Sequence, residues 1–298
     1  MLKRFLPLLF VVLVVLATAV AYLVLRDDDA SPPGGTGAVP ATFTTGPDGL
    51  REFRVESEPE FQQVLATLGT SNEEIEAWAR TRGFPPGEYT GTPGEPLQHN
   101  YQGERPARLR AMAQDGDRWA MQFLAERIAQ DQPQEAVDWY RQAAVRGSAF
   151  AAFKLGTLYH SIARWVLMAG DDRAELAAIL EREEPVMRSA LAWTLVAEYE
   201  AGMPPGAMSA ALAGFQARDE SIDEACLRAA SLLEALRAER RELGLVLAQG
   251  KPPLVVELPP EETEGYCAPE VFPRADFTGC ETFRMGGGSG TVIGHRCR

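Results

Sequence analysis

Three histidines and four cysteines offer the widest choice of chemistry, and their spacing narrows it. His99, His160 and His295 lie far apart, and no H-E-x-x-H pair sets two imidazoles on one helix face, so that zinc pattern is missing. His160 follows Tyr159 on a helical stretch, where a structural role fits. Cys267, Cys280, His295 and Cys297 are acceptable zinc ligands by type, yet no C-x-x-C pair occurs among them, as structural zinc sites usually require. With Cys226 the cysteine count is four, and an even count in an oxidising compartment favours disulfides. The expectation is a tail pinned by disulfides among Cys226, Cys267, Cys280 and Cys297, with all three complete pairings open. No metal and no cofactor is expected.

The run Gly286-Gly287-Gly288-Ser289-Gly290 invites a phosphate-loop reading, but no Lys-Ser or Lys-Thr follows it. Thr291 stands where the second glycine of G-x-S-x-G belongs, so a nucleophile elbow fails too. A glycine-rich hairpin or disorder fits better. The acidic clusters Glu181, Glu183, Glu184 and Glu261, Glu262, Glu264 read as solvated faces. No catalytic residue emerges, and the sequence reads as a protein that is not an enzyme.

Composition supports a folded chain. Of 298 residues, 46% are hydrophobic and 24% charged, ordinary proportions for a globular protein. The formal charge of −13 argues against a nucleic-acid surface, which needs clustered Lys and Arg. Positive charge is carried almost wholly by arginine, with lysine only at Lys3, Lys154 and Lys251.

The elements that must position these residues begin with an apolar run. Phe5–Leu25 holds no charged side chain, and as a helix of about 21 residues it matches a hydrocarbon core of roughly 30 Å. Lys3 and Arg4 precede it and Asp27, Asp28 and Asp29 follow closely, so the positive-inside rule puts the N-terminus in the cytoplasm. A single-pass bacterial inner-membrane protein with a periplasmic remainder is expected. The competing reading is a signal peptide cleaved after Ala19-Val20-Ala21. The expected divisions are an anchor over 1–26, a flexible Pro- and Gly-rich linker over 27–57, a helical cap and loop over 58–106, a helical domain over 107–250 and a cysteine-containing tail over 251–298. Within the cap, Ser71 and Glu74 stand at capping-box spacing ahead of a helix over Asn72–Arg82, and a shorter helix is expected near Pro59–Leu68. Short strands are expected at Leu254–Leu258, Thr282–Met285 and Thr291–Ile293.

The helical domain repeats itself. At an offset of about 31 residues Ala113 meets Ala144, Gly116 meets Gly147, Trp119 meets Phe150, Ala120 meets Ala151 and Leu124 meets Leu155. Gly116 and Gly147 fall where one helix ends and the next begins, the left-handed position glycine tolerates best. Asp117 and Ser148 follow as N-caps. The stretch Glu135–Ser148, carrying Trp139, Tyr140 and Gly147, resembles the Sel1-like repeat signature, and Ala151–Tyr159, with Leu155 and Gly156, resembles its continuation. A weaker echo runs from Ala190 to Gly202, and the insert 168–185 interrupts the period.

That resemblance implies an αα-hairpin solenoid of Sel1-like, tetratricopeptide-like repeats and an adaptor role; with the apolar N-terminal run and the tail composition, the expected fold is mainly α, with an N-terminal transmembrane helix and a small irregular or β tail. The expected function is a membrane-anchored protein–protein interaction module with unknown protein partners in the cell envelope, and the net charge leaves nucleic acid out. The competing function is an envelope enzyme or cell-wall-binding protein whose site the sequence does not display. In such an array the first helix of each pair lines the concave face. Ala120, Leu124, Ala151 and Leu155 are then core, and Arg118, Gln122, Glu126 and Lys154 are left to face a partner-binding groove.

Overall fold

Two helices early among the described residues are set by local chemistry. In the computed structural model β1 (Phe43–Thr45) and β2 (Arg51–Arg54) form a hairpin, followed by α1 (Glu58–Leu68) and α2 (Asn72–Thr81). The α1 helix has proline in its first turn and ends at Gly69, which takes φ 64°. The α2 helix opens with a full capping box, the Ser71 hydroxyl accepting from the Glu74 amide and the Glu74 carboxylate accepting from the Ser71 amide. The structure describes residues 41–89, 96–169, 174, 176, 178–179, 186–203, 219–247, 250–257, 267–273, 275–287 and 290–298, all within the unit Pro40–Arg298.

The central body is helical: α3 (Pro106–Gln114), α4 (Arg118–Ile128), α5 (Pro133–Val145), α6 (Ala149–Ala169), α7 (Val186–Glu200) and α8 (Asp219–Glu242). Asp117 caps α4, its carboxylate accepting from the amides of Trp119 and Ala120. The Ser148 hydroxyl accepts from the Ala151 amide in the first turn of α6. The end of α2 docks on that same turn, where the Arg82 carbonyl accepts the Ala149 amide at 2.8 Å. Gly83, at φ 82°, permits the approach, since a Cβ there would lie 2.2 Å from the Ser148 hydroxyl. The main core runs through α3 to α8 and includes Leu109, Met121, Leu124, Tyr140, Leu155, Tyr159, Trp193, Leu195 and Leu233.

After α8 the chain returns through β3 (Leu254–Glu257), β4 (Glu281–Gly287) and β5 (Gly290–Arg296). These join the first hairpin in one mixed five-stranded sheet of order β1-β2-β4-β5-β3, with β2 parallel to β4 and the other pairs antiparallel. One sheet face covers α1 and α2, burying Phe53, Phe283, Met285 and Leu254 against Val64, Leu65, Leu68 and Ile75. Disulfides fix the return: Cys226 of α8 to Cys267, and Cys280 to Cys297 across the ends of β4 and β5.

This architecture corrects several expectations. Among the described residues there are eight α-helices and a five-stranded mixed sheet, so the chain is not a mainly α solenoid with a small separate tail; strands do form where short ones were expected in 251–298, but they join β1 and β2 in one sheet. A solenoid layer touches only its neighbours. Here α8 folds back to bond the end of α5, and strands from both ends of the described residues close one sheet. The Sel1-like, tetratricopeptide-like solenoid is therefore set aside. The segment expected as a linker over 27–57 contributes β1 and β2. No helix among the described residues is long and apolar enough to cross a membrane, so the transmembrane helix and the single-pass inner-membrane, periplasmic localisation are not supported; Phe5–Leu25 itself lies outside the described residues. The two disulfides fit an oxidising compartment.

Candidate functional site

The α8 helix carries Arg237, Arg240 and Arg241, spaced so that all three project to one side. They border a cavity of about 750 Å³ that also takes in Arg82 after α2, Tyr199, Glu200 and Gly202 at the end of α7, the segment Leu245–Leu247, Lys251, and Asp276 with Phe277. Pockets of this size hold small ligands or several side chains of a partner. Gly202, at φ 60°, lets Pro252 pack close, because a Cβ would sit 2.9 Å from its ring.

The five cations face two carboxylates, and the two carboxylates are already engaged. Arg240 is buried and fully committed: Nε and Nη2 donate to the carbonyls of Val145 and Ala144 at the end of α5, and Nη1 donates to Glu200 at 3.0 Å. It satisfies the Val145 carbonyl at the helix end and adds a second donor to the Ala144 carbonyl, which also accepts the Gly147 amide. Lys251 bonds Asp276 and the Thr278 carbonyl. Those contacts, with donors from Thr278 first and Lys251 after them, hold the Asp276 carboxyl down to about 2. Arg82 donates to the Gly250 carbonyl and stacks over Trp78. Burial lowers its pKa, Glu200 opposes the shift and Arg240 adds to it. Arg237 stacks on Tyr199 and donates to its hydroxyl. Arg241 is exposed and makes no ion pair among the described residues. The cavity is therefore a positive concavity on a chain of net charge −13. Val246 stands on its lining 94% exposed.

The four side chains expected to face a partner take different places, with Arg118 on the lining of a cavity of about 380 Å³ beside Arg80, Thr81 and Tyr101. Gln122 is buried, its amide oxygen accepting the Ser148 hydroxyl at 2.6 Å. Arg118 turns to the end of α2, donating to the carbonyls of Arg80 and Thr81, and its guanidinium lies over Trp119. Lys154 and Glu126 neutralise each other at 3.0 Å, with the Lys154 ammonium also 5.1 Å from the Phe150 ring.

The repeat positions serve packing. Ala120, Leu124, Tyr140, Phe150, Ala151 and Leu155 are buried, and Trp119 and Trp139 lie half-buried against the main core. Gly116 and Gly147 take φ 95° and 84°. Gly156 lets α6 meet α7, since a Cβ there would lie 2.7 Å from the Ala190 carbonyl.

All four cysteines are oxidised, which removes the thiolates a zinc site would use. Among the described residues no group of His, Cys, Asp and Glu is placed to hold a metal. His295 stacks on Phe277 with ring centroids 4.4 Å apart and meets Thr282 through Nδ1, a packed arrangement inside the sheet. Sequence reading missed the arginine cavity because its walls come from five separate segments. The one local signal was Arg237, Arg240 and Arg241 on a single helix side.

Compared with known proteins, the chain matches no family model, no curated protein and no solved structure. The residues that resemble Sel1-like repeats therefore assign no family.

Proposed function

We propose that the chain is a protein-interaction module of an oxidising compartment, and that the face around the arginine-lined cavity is where it meets its partner. The observation that carries this reading is the pairing of surplus guanidinium groups with a nearly fully exposed aliphatic side chain, Val246, on one concavity. Interfaces favour arginine together with apolar contact. The Cys280–Cys297 disulfide lies beside the loop that carries Asp276 and Phe277 on this face.

Site-specific photocrosslinking tests the reading. A photoreactive residue at Val246, in the full chain expressed in its own cells, should yield one discrete adduct identified by mass spectrometry. The same residue at Glu126, on the neutralised helical face, should not. Adducts from Glu126 alone would move the interface to the helical face and end this reading.

A further inference from the structure

We infer that the cavity takes an acidic, extended peptide segment that carries an aliphatic side chain next to its carboxylates. The inference rests on the partner-binding reading and adds the chemistry of the bound segment.

Charge comes first. Arg237 and Arg241 present guanidinium forks on the exposed side of α8, and neither is paired to a carboxylate among the described residues. A fork of parallel N–H donors matches a carboxylate in two-point geometry. Arg82, also on the lining, has its pKa lowered by burial, with Glu200 opposing the shift and Arg240 adding to it, and an entering anion would favour its charged form.

Shape and apolar surface come second. The volume of about 750 Å³ exceeds what one small anion fills. Val246, 94% exposed, stands on the lining with the arginines, and Phe277 and Tyr199 add ring surface to it. Isolated exposed aliphatics are common on proteins. Here one adjoins uncompensated positive charge, so one ligand must satisfy both. A polyphosphate or nucleic-acid backbone supplies charge with no aliphatic group to cover Val246. A peptide alternating acidic and aliphatic residues supplies both.

Fluorescence anisotropy with the full chain, disulfides intact, tests this. The probe is a short labelled peptide of glutamates interrupted by two leucines. It should bind, while a version with lysines for glutamates and a version with serines for leucines should each bind much more weakly. Arg237→Glu with Arg241→Glu should weaken the first peptide about tenfold or more, a change of roughly 1.4 kcal/mol or above. Arg237→Lys with Arg241→Lys should lose less. Both positions are exposed, so circular dichroism and melting temperature should hold in all variants. Equal binding of the lysine peptide, or binding unchanged by the double reversal, overturns the inference. So does displacement by inorganic polyphosphate together with indifference to the leucines, which marks a plain anion site. A discrete crosslink from Val246 that the acidic peptide fails to compete leaves the interaction reading standing and removes this one.

Discussion

Gly294 on β5 stands directly opposite Phe283 on β4, and a Cβ at Gly294 would lie 2.3 Å from the Phe283 ring. The ring lies flat over the glycine and reaches Phe53 on β2, edge to face at 5.7 Å. Cross-strand aromatic cover of a glycine stabilises sheets. Gly294→Val should therefore expel the ring from the sheet core and destabilise by about 2–3 kcal/mol. Denaturant unfolding of the variant checks it, and a loss under about 0.5 kcal/mol would mean the ring has another place to go.

Gly116 and Gly147 look equivalent in sequence but not in space. Both take positive φ, yet a Cβ at Gly116 meets nothing closer than the Arg146 Nε at 3.9 Å, whereas one at Gly147 meets Leu247 at 2.7 Å. Gly116→Ala should cost about 1 kcal/mol from backbone strain alone. Gly147→Ala should cost more, by the added clash with Leu247. Paired melting curves test the ordering, and equal losses would remove the Leu247 contact as a cause.

The disulfides enclose loops of different length, 41 residues for Cys226–Cys267 and 17 for Cys280–Cys297. Loop-closure entropy then gives about 4 and about 3 kcal/mol of stabilisation. Replacing both members of a pair with alanine should destabilise more for the Cys226–Cys267 bridge. The reverse order in denaturant titrations would show that native-state contacts outweigh the unfolded-chain term.

Glu135 accepts from Arg110, which lowers its pKa; burial opposes the shift, and the Trp139 indole donor adds to it. A carboxylate depressed in the folded state contributes stability above its ordinary pKa and loses it as pH falls through the folded value. Stability should thus decline on acidification below about pH 4, and Glu135→Gln should flatten that decline. Stability measured from neutral to acid pH in both proteins checks the sign. An unchanged slope would assign the acid sensitivity to other carboxylates.

What the sequence displayed was local. The α2 capping box needs only Ser71 and Glu74, so its spacing alone reveals it. The turns at Gly116–Asp117 and Gly147–Ser148 pair a glycine with a following cap, again within a few residues. What stayed hidden depends on distant partners. Only Phe53 of β2 is buried, and its cover comes from Phe283 and Leu65, so the segment reads as linker by composition. Gln122 is polar and reads as outward-facing, but the Ser148 hydroxyl from the next helix makes its burial tolerable. The arginine cavity joins segments that only the return of the chain through α8 and the sheet brings together.

That return is held at Arg240, where the strongest stability prediction lies. Its side chain and that of Glu200 are 8% and 11% exposed, so neither charge is well hydrated. Arg240 bonds two carbonyls of α5 and one carboxylate of α7, tying three helices with one guanidinium. Arg240→Met should leave the Glu200 carboxylate without this partner and the Val145 carbonyl without its donor, while the Ala144 carbonyl keeps the Gly147 amide, a loss of about 3 kcal/mol or more. Arg240→Lys should also be costly, because one ammonium lacks the planar fork that reaches all three groups. Glu200→Gln should cost less, since Arg240 keeps both carbonyls. In the double variant Arg240→Met with Glu200→Gln, the buried charge is gone from both sides, so the loss should fall below the sum of the single losses by about 1 kcal/mol or more. Urea unfolding of the four proteins closes the cycle. Strictly additive losses would mean that Arg240 acts on α5 alone and that the Glu200 contact contributes nothing to holding α8 in place.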